Sequence, residues 1–136
     1  MKKVYLIAFT ITVLLVFSAC SGNEPTTIEI CKEDSTFIDY YEDSGVVHFV
    51  CKIVLQNNTS AKHKVKLYGF SKEDVDGGLL LNPKLTGYNI DGQNDTFQLD
   101  SNSRSELTVV FLGEYAGVLQ KADRLIPDVL EIEIVE

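Results

Sequence analysis

The sequence predicts an all-β domain, a two-layer antiparallel sandwich of about seven or eight strands. Short runs rich in Val, Ile, Thr, Tyr and Phe recur along the chain, separated by polar turn signals every ten or so residues. The clearest run, Gly45–Gln56, alternates throughout, placing Val47, Phe49, Cys51, Ile53 and Leu55 on one face. Helical spacing appears in one place only, near 114–125.

Taken in order, the chain opens with Met1–Cys20. Lys2 and Lys3 form a positive head, Val4–Phe17 is uncharged and apolar, and Ser18-Ala19 supplies small residues before Cys20. That is the build of an export signal. A helix of about 14 residues rises only about 21 Å, short of the ~30 Å hydrocarbon core of a bilayer, so the segment is read as a signal rather than a span. The ending Phe17-Ser18-Ala19-Cys20 resembles the lipobox of bacterial lipoproteins, with Phe17 standing where Leu is usual. The resemblance implies cleavage before Cys20 and a lipid on its thiol. It also implies a protein held by that anchor at the membrane's extracytoplasmic face, with Ser21 permitting outer-membrane sorting. Several acyl chains on one residue meet the requirement that stable anchoring needs more than one lipid signal.

Residues 20–25 then form a short lipidated spacer, and 26–136 the domain. Cleavage leaves about 117 of the 136 residues, enough for one domain with a real core. Only Lys2 and Lys3 are lost with the signal, so 10 basic residues face 20 acidic ones, a formal charge of −10. Nucleic acid and anionic lipid headgroups would be repelled by such a chain, whereas a basic protein would not.

Thr26–Ile30 and Thr36–Tyr41 are the first two strands, and Asp43-Ser44-Gly45 is the turn into Gly45–Gln56. The second face of that run, with Val46, His48, Val50, Lys52 and Val54, is mixed and expected to be half covered. Asn57–Ser60 is a polar turn, and Lys64–Phe70 returns with Val65 and Leu67 inward, which predicts an antiparallel hairpin. Ser71–Gly78 has room for one helical turn capped by Ser71. Leu79–Leu81 and Leu85–Ile90 are short apolar pieces around Asn82-Pro83. Phe97 and Leu99, a turn at Asp100–Ser103, and Glu106–Leu112 suggest a second pairing. In 114–125, Tyr115, Val118, Leu119, Ala122 and then Ile126 follow helical spacing, opposed by Gly117, which costs a helix about 1 kcal/mol, so one short helix and an irregular crossover stand as alternatives. Val129–Val135 closes the chain with Leu130, Ile132 and Ile134 inward. The whole resembles an immunoglobulin-like sandwich in architecture, without the Cys…Trp…Cys signature, since the chain has no tryptophan.

Candidate chemistry is sparse. Cys31 and Cys51 form a candidate disulfide that would close a loop of about 20 residues and stabilise by roughly 3 kcal/mol, the alternative being two free thiols with at least one buried as a small hydrophobe. Strand parity opposes it, because Cys31 points away from the face of Ile28 and Ile30 while Cys51 lies on the core face. Asp91, Gln93 and Asp95 share the opening spacing of a calcium loop, but the sixth position is Thr96 and the twelfth Asn102, where Gly and Glu are needed. His48 and His63 lack a second ligand at metal spacing. Glu73, Asp74 and Asp76 read as a solvated turn; Lys62, His63, Lys64 and Lys66 form a basic island in which Lys64 and Lys66 are placed to pair with Glu131 and Glu133 across the sheet, the alternative being a partner-docking patch. The expectation is therefore a non-catalytic envelope module without metal or cofactor, binding an envelope protein or small ligand. The alternative is an inhibitor or immunity-type protein that binds a basic enzyme.

Overall fold

The computed structural model describes residues 27–119 and 124–135, and the expectations for the signal, Cys20 and the spacer lie outside them. Among the described residues no helix is long and apolar enough to cross a membrane. Eight antiparallel strands form one continuous sheet that folds over into two layers. They are β1 (Ile28–Ile30), β2 (Thr36–Asp43), β3 (Val46–Asn57), β4 (His63–Phe70), β5 (Lys84–Tyr88), β6 (Phe97–Leu99), β7 (Ser103–Glu114) and β8 (Val129–Ile134). The all-β sandwich read from the sequence is the fold observed.

In the first layer β3 pairs with β7 along its whole length, from Val46↔Glu114 to Asn57↔Ser103. Its other edge is shared by β1, opposite Leu55–Asn57, and β2, opposite Val46–Lys52. In the second layer β4 pairs with β8 on one side and with β6 on the other. Strand β5 joins the layers, since it pairs with both β7 and β4. Between them lies one core: Phe49, Cys51, Ile53 and Leu55 of β3, Val109 and Phe111 of β7, Val65 and Leu67 of β4, and Leu85, Phe97 and Leu99. Each such aliphatic or aromatic side chain contributes about 1.5–3 kcal/mol by leaving water. The alternation in β3 thus does what its period dictates.

The β2–β3 hairpin turns on Ser44-Gly45, both with positive φ (54° and 82°), the primed turn whose twist suits a two-residue hairpin. Gly45 takes that conformation without strain.

Two expected hairpins are corrected. Strands β3 and β4 do not pair, and neither do β6 and β7; each pair is an arch that carries the chain from one layer to the other. The cause is Asn57, which is buried at the corner. Its Nδ2 donates to the Ala61 carbonyl (2.9 Å) and to the Asp100 carbonyl (2.8 Å), and its Oδ1 accepts from the Thr59 amide (3.0 Å) and hydroxyl (2.7 Å). The Asn102 amide in turn donates to the Thr59 carbonyl (2.9 Å), so the two arches lie side by side.

Of the two alternatives near 114–125, residues 114–119 follow the irregular one and not the helix. Strand β7 continues through Glu114, Tyr115 forms an isolated bridge with Leu80, and Gly117 adopts φ 116°, outside any right-handed helix. Positions 120–123 lie outside the described residues. The short helix that does form is α1 (Lys72–Asp76), at the place where Ser71–Gly78 predicted one turn, although Ser71 makes no cap bond to its backbone. Ile134, expected inward, is exposed at the end of β8.

Candidate functional site

Cys31 and Cys51 are free thiols, which corrects the candidate disulfide. Ile30 pairs with Leu55, and the Cys31 amide donates to the Val54 carbonyl (2.8 Å), so Cys31 sits level with Val54 on the face opposite Cys51. The parity of the strands keeps the thiols apart. Cys51 is fully buried, and burial pushes its thiol up to about 12. Cys31 is half-buried beside Arg104, whose Nη1 lies 4.0 Å from its sulfur. The same guanidinium makes a 2.6 Å ion pair with Asp34, which raises Arg104 above its ordinary range.

Asp91, Gln93 and Asp95 form a turn organised by Asn89. The Asn89 Oδ1 accepts from the amides of Gln93 and Asn94, both at 3.2 Å. Asp95 leaves this loop to pair with Lys66 (3.1 Å). Among the described residues no three His, Cys, Asp or Glu side chains gather as metal ligands. Lys66 stands opposite Glu133 as the strand pattern predicted, but its ion pair is with Asp95, and Glu133 instead accepts from the Tyr68 hydroxyl (2.9 Å). The hydrogen bond and charge of Asp95 raise Lys66, and the bond to Glu133 raises Tyr68.

Two places stand out that the sequence had not brought together. The first is a cavity of about 220 Å³ on the side where β2 and the 124–128 segment meet, lined in part by Phe37, Phe49, Asp74 and Arg124. Asp74, read from the sequence as part of a solvated turn, is buried here. Its carboxylate accepts from the Ser71 hydroxyl (2.5 Å) and pairs with Arg124 Nη1 (2.7 Å). The Arg124 guanidinium lies over the rings of Tyr40 (4.6 Å) and Phe49 (5.4 Å), which stack on each other.

The second is the outer face of the first layer, continued through β5 onto β4. Registers place Tyr41 opposite His48, His48 opposite Leu112, Leu112 opposite Thr86 and Thr86 opposite Tyr68, one row across five strands. Tyr41 and His48 stack at 4.6 Å, nearly parallel. The His48 Nδ1 lies 3.2 Å from the Val46 carbonyl, and since a carbonyl only accepts, Nδ1 carries the hydrogen. Beside this row runs an open groove of about 570 Å³, floored by Val46, Tyr88 and Leu112. Asn82, Lys84 and Glu114 form its exposed rim. The Asn82 Nδ2 donates to Glu114 Oε2 (3.1 Å), and Lys84 Nζ lies 4.3 Å from the centre of the Tyr68 ring. The mixed face of β3 was the available sequence signal; the Tyr88 and Leu112 contributions carried none.

Comparison with protein-family models, with curated proteins and with solved structures returned no match for this chain. Its functional reading therefore rests on geometry and on the residues themselves.

Proposed function

We propose that the chain is a lipid-anchored module of the cell envelope, an immunoglobulin-like sandwich standing on the extracytoplasmic side of a membrane, that binds its partner without transforming it. The observation that carries the binding half is the outer face of the first layer. Its row of Tyr41, His48, Leu112 and Thr86, continued by Tyr68 of β4 where β5 joins the layers, borders a groove of about 570 Å³, within the ~300–1,000 Å³ range of ligand sites. Support for the anchor comes from Phe17-Ser18-Ala19-Cys20 after an apolar run.

Fractionation of bacteria producing the full chain tests the anchor. Wild type is expected in the membrane fraction and a Cys20→Ala variant in released form; a Cys20→Ala variant wholly retained with membranes overturns it. Cross-linking in the envelope, with elution in a salt series, tests the binding half.

A second reading, inhibition of a basic secreted or cell-wall enzyme, is supported by the β1–β2 edge of the first layer, which pairs with no further strand among the described residues. Between Glu29 and Asp43 six carboxylates face one lysine, Lys32, which itself donates to the Asp128 carbonyl (2.6 Å). Association that weakens steeply with salt is the expected signature.

A further inference from the structure

We propose that the groove on the outer face of the first layer binds a neutral oligosaccharide, an inference that rests on the binding-module reading above. A sugar chain presents C–H faces and a fringe of hydroxyls that both donate and accept. It therefore needs a ring or apolar floor to lie on and both kinds of polar group at the edge. The groove has that division. Tyr88, Leu112 and Val46 make the floor, and Asn82, Lys84 and Glu114 make the rim.

The rim is pre-arranged. Asn82 Nδ2 bonds Glu114 Oε2 at 3.1 Å, which holds a planar amide and a planar carboxylate together as a paired donor and acceptor edge. The amide carbonyl and the carboxylate's other oxygen are further acceptors. Lys84, resting at 4.3 Å over the Tyr68 ring, supplies ammonium donors from the opposite chemistry. The central floor strand β7 is held on both sides, by β3 and β5, and Tyr88 is paired to it opposite Val110, so little ordering is needed when a ligand arrives.

Charge selects among occupants. One ammonium and one carboxylate at the rim sum to zero, which suits a neutral ligand. A second copy of this chain, with its own excess of acidic residues, would be repelled, as would nucleic acid or an anionic lipid headgroup. The groove is also the size of a ligand segment rather than of a protein interface.

The test is calorimetric titration of the full chain in detergent micelles with four probes, maltohexaose, cellohexaose, xylohexaose and chitohexaose. At least one is expected to bind at one site per chain. Tyr88→Ala should weaken that binding about tenfold or more, and Tyr88→Phe, which keeps the ring, should hold it within about twofold. Asn82→Ala, in an exposed loop, should also weaken it and gives a second reading should Tyr88→Ala fail to fold. No binding by any probe at millimolar concentration overturns the proposal, as does binding indifferent to both variants. A protein cross-linked through Tyr41 and Tyr88 with no sugar bound overturns it while leaving the binding-module reading in place. Sugar binding by a chain whose Cys20→Ala form stays with membranes supports the site and removes the anchor instead.

Discussion

At one end of the sandwich a neutral amide, Asn57, ties two arches together; at the other a charged pair, Asp74 and Arg124, fastens the 124–128 segment to the end of β4. Both hubs are buried polar groups that join parts of the chain distant in sequence. They differ in completeness. Both Asn57 side-chain atoms are engaged, through four hydrogen bonds. Arg124 has an ion pair and two aromatic faces, yet its buried Nε meets no hydrogen-bond partner among the described residues. A satisfied neutral network specifies one path of the chain, whereas a buried ion pair is costly chiefly when one half is removed.

The largest effect should therefore come from breaking the ion pair. Asp74→Ala leaves Arg124 buried without its counter-charge and removes the acceptor for Ser71. Chemical denaturation should show a loss of about 3–5 kcal/mol. Because the two side chains are only 10% and 12% exposed, added salt should change that loss little. A loss near zero would mean that the segment from Arg124 onward is held by Pro127 and Ile126 packing instead.

Asn57→Ala comes next. It deletes all four bonds of the buried Asn57 amide, while the exposed Ala61 and Asp100 carbonyls keep the Thr59 hydroxyl (3.1 Å) and the Ser103 hydroxyl (2.6 Å), for an expected loss of about 2 kcal/mol. Amide exchange should speed up at Thr59 and Asn102 together, since their bonds depend on the same corner. Faster exchange at one arch alone would show that the arches are independent.

These hubs also explain what was legible in the sequence. The strands were, because period-two alternation is a local property of Val47 to Leu55. Their pairing was not: Asn57–Ser60 has the same composition whether it makes a hairpin or an arch, and the deciding bond reaches Asp100, 43 residues away. Asp74 looked like a solvated acid because its partner lies 50 residues on. The apolar spacing near 114–125 left helix and irregular crossover open, and the deciding contacts are not local. Tyr115 is bridged to Leu80 and Gly117 is held at positive φ, so tertiary pairing overrode local preference. The candidate groove was half legible, through the mixed outer face of β3, since the strands that complete it arrive from elsewhere in the chain.

Alkaline pH offers a smaller test against a third buried group. Cys51 is held neutral by burial, rising from 9.0 to about 12, so the unfolded chain releases its proton first as pH climbs. The contribution is whole below about pH 9 and is lost between about 9 and 12, with about 1.4 kcal/mol gone by pH 10. Cys51→Ala, though less stable throughout, should show a flatter decline over that window. In the folded wild type a thiol reagent should modify the half-buried Cys31 and spare Cys51.

The smallest effect sharpens the contrast between charge pairs. Lys66 and Asp95 approach to 3.1 Å, a distance comparable to that of Asp74 and Arg124, but both side chains are about a third exposed. Water already stabilises each charge there, so Lys66→Ala should shift the unfolding midpoint by a small fraction of the Asp74→Ala shift, and high salt should erase even that. Asp95 raises Lys66, so whatever the pair contributes is present below the ordinary value of 10.5 and is lost as pH rises through the raised one. Equal costs for Lys66→Ala and Asp74→Ala would show that distance, and not burial, sets the worth of an ion pair in this sandwich, and would remove the distinction drawn between its two ends.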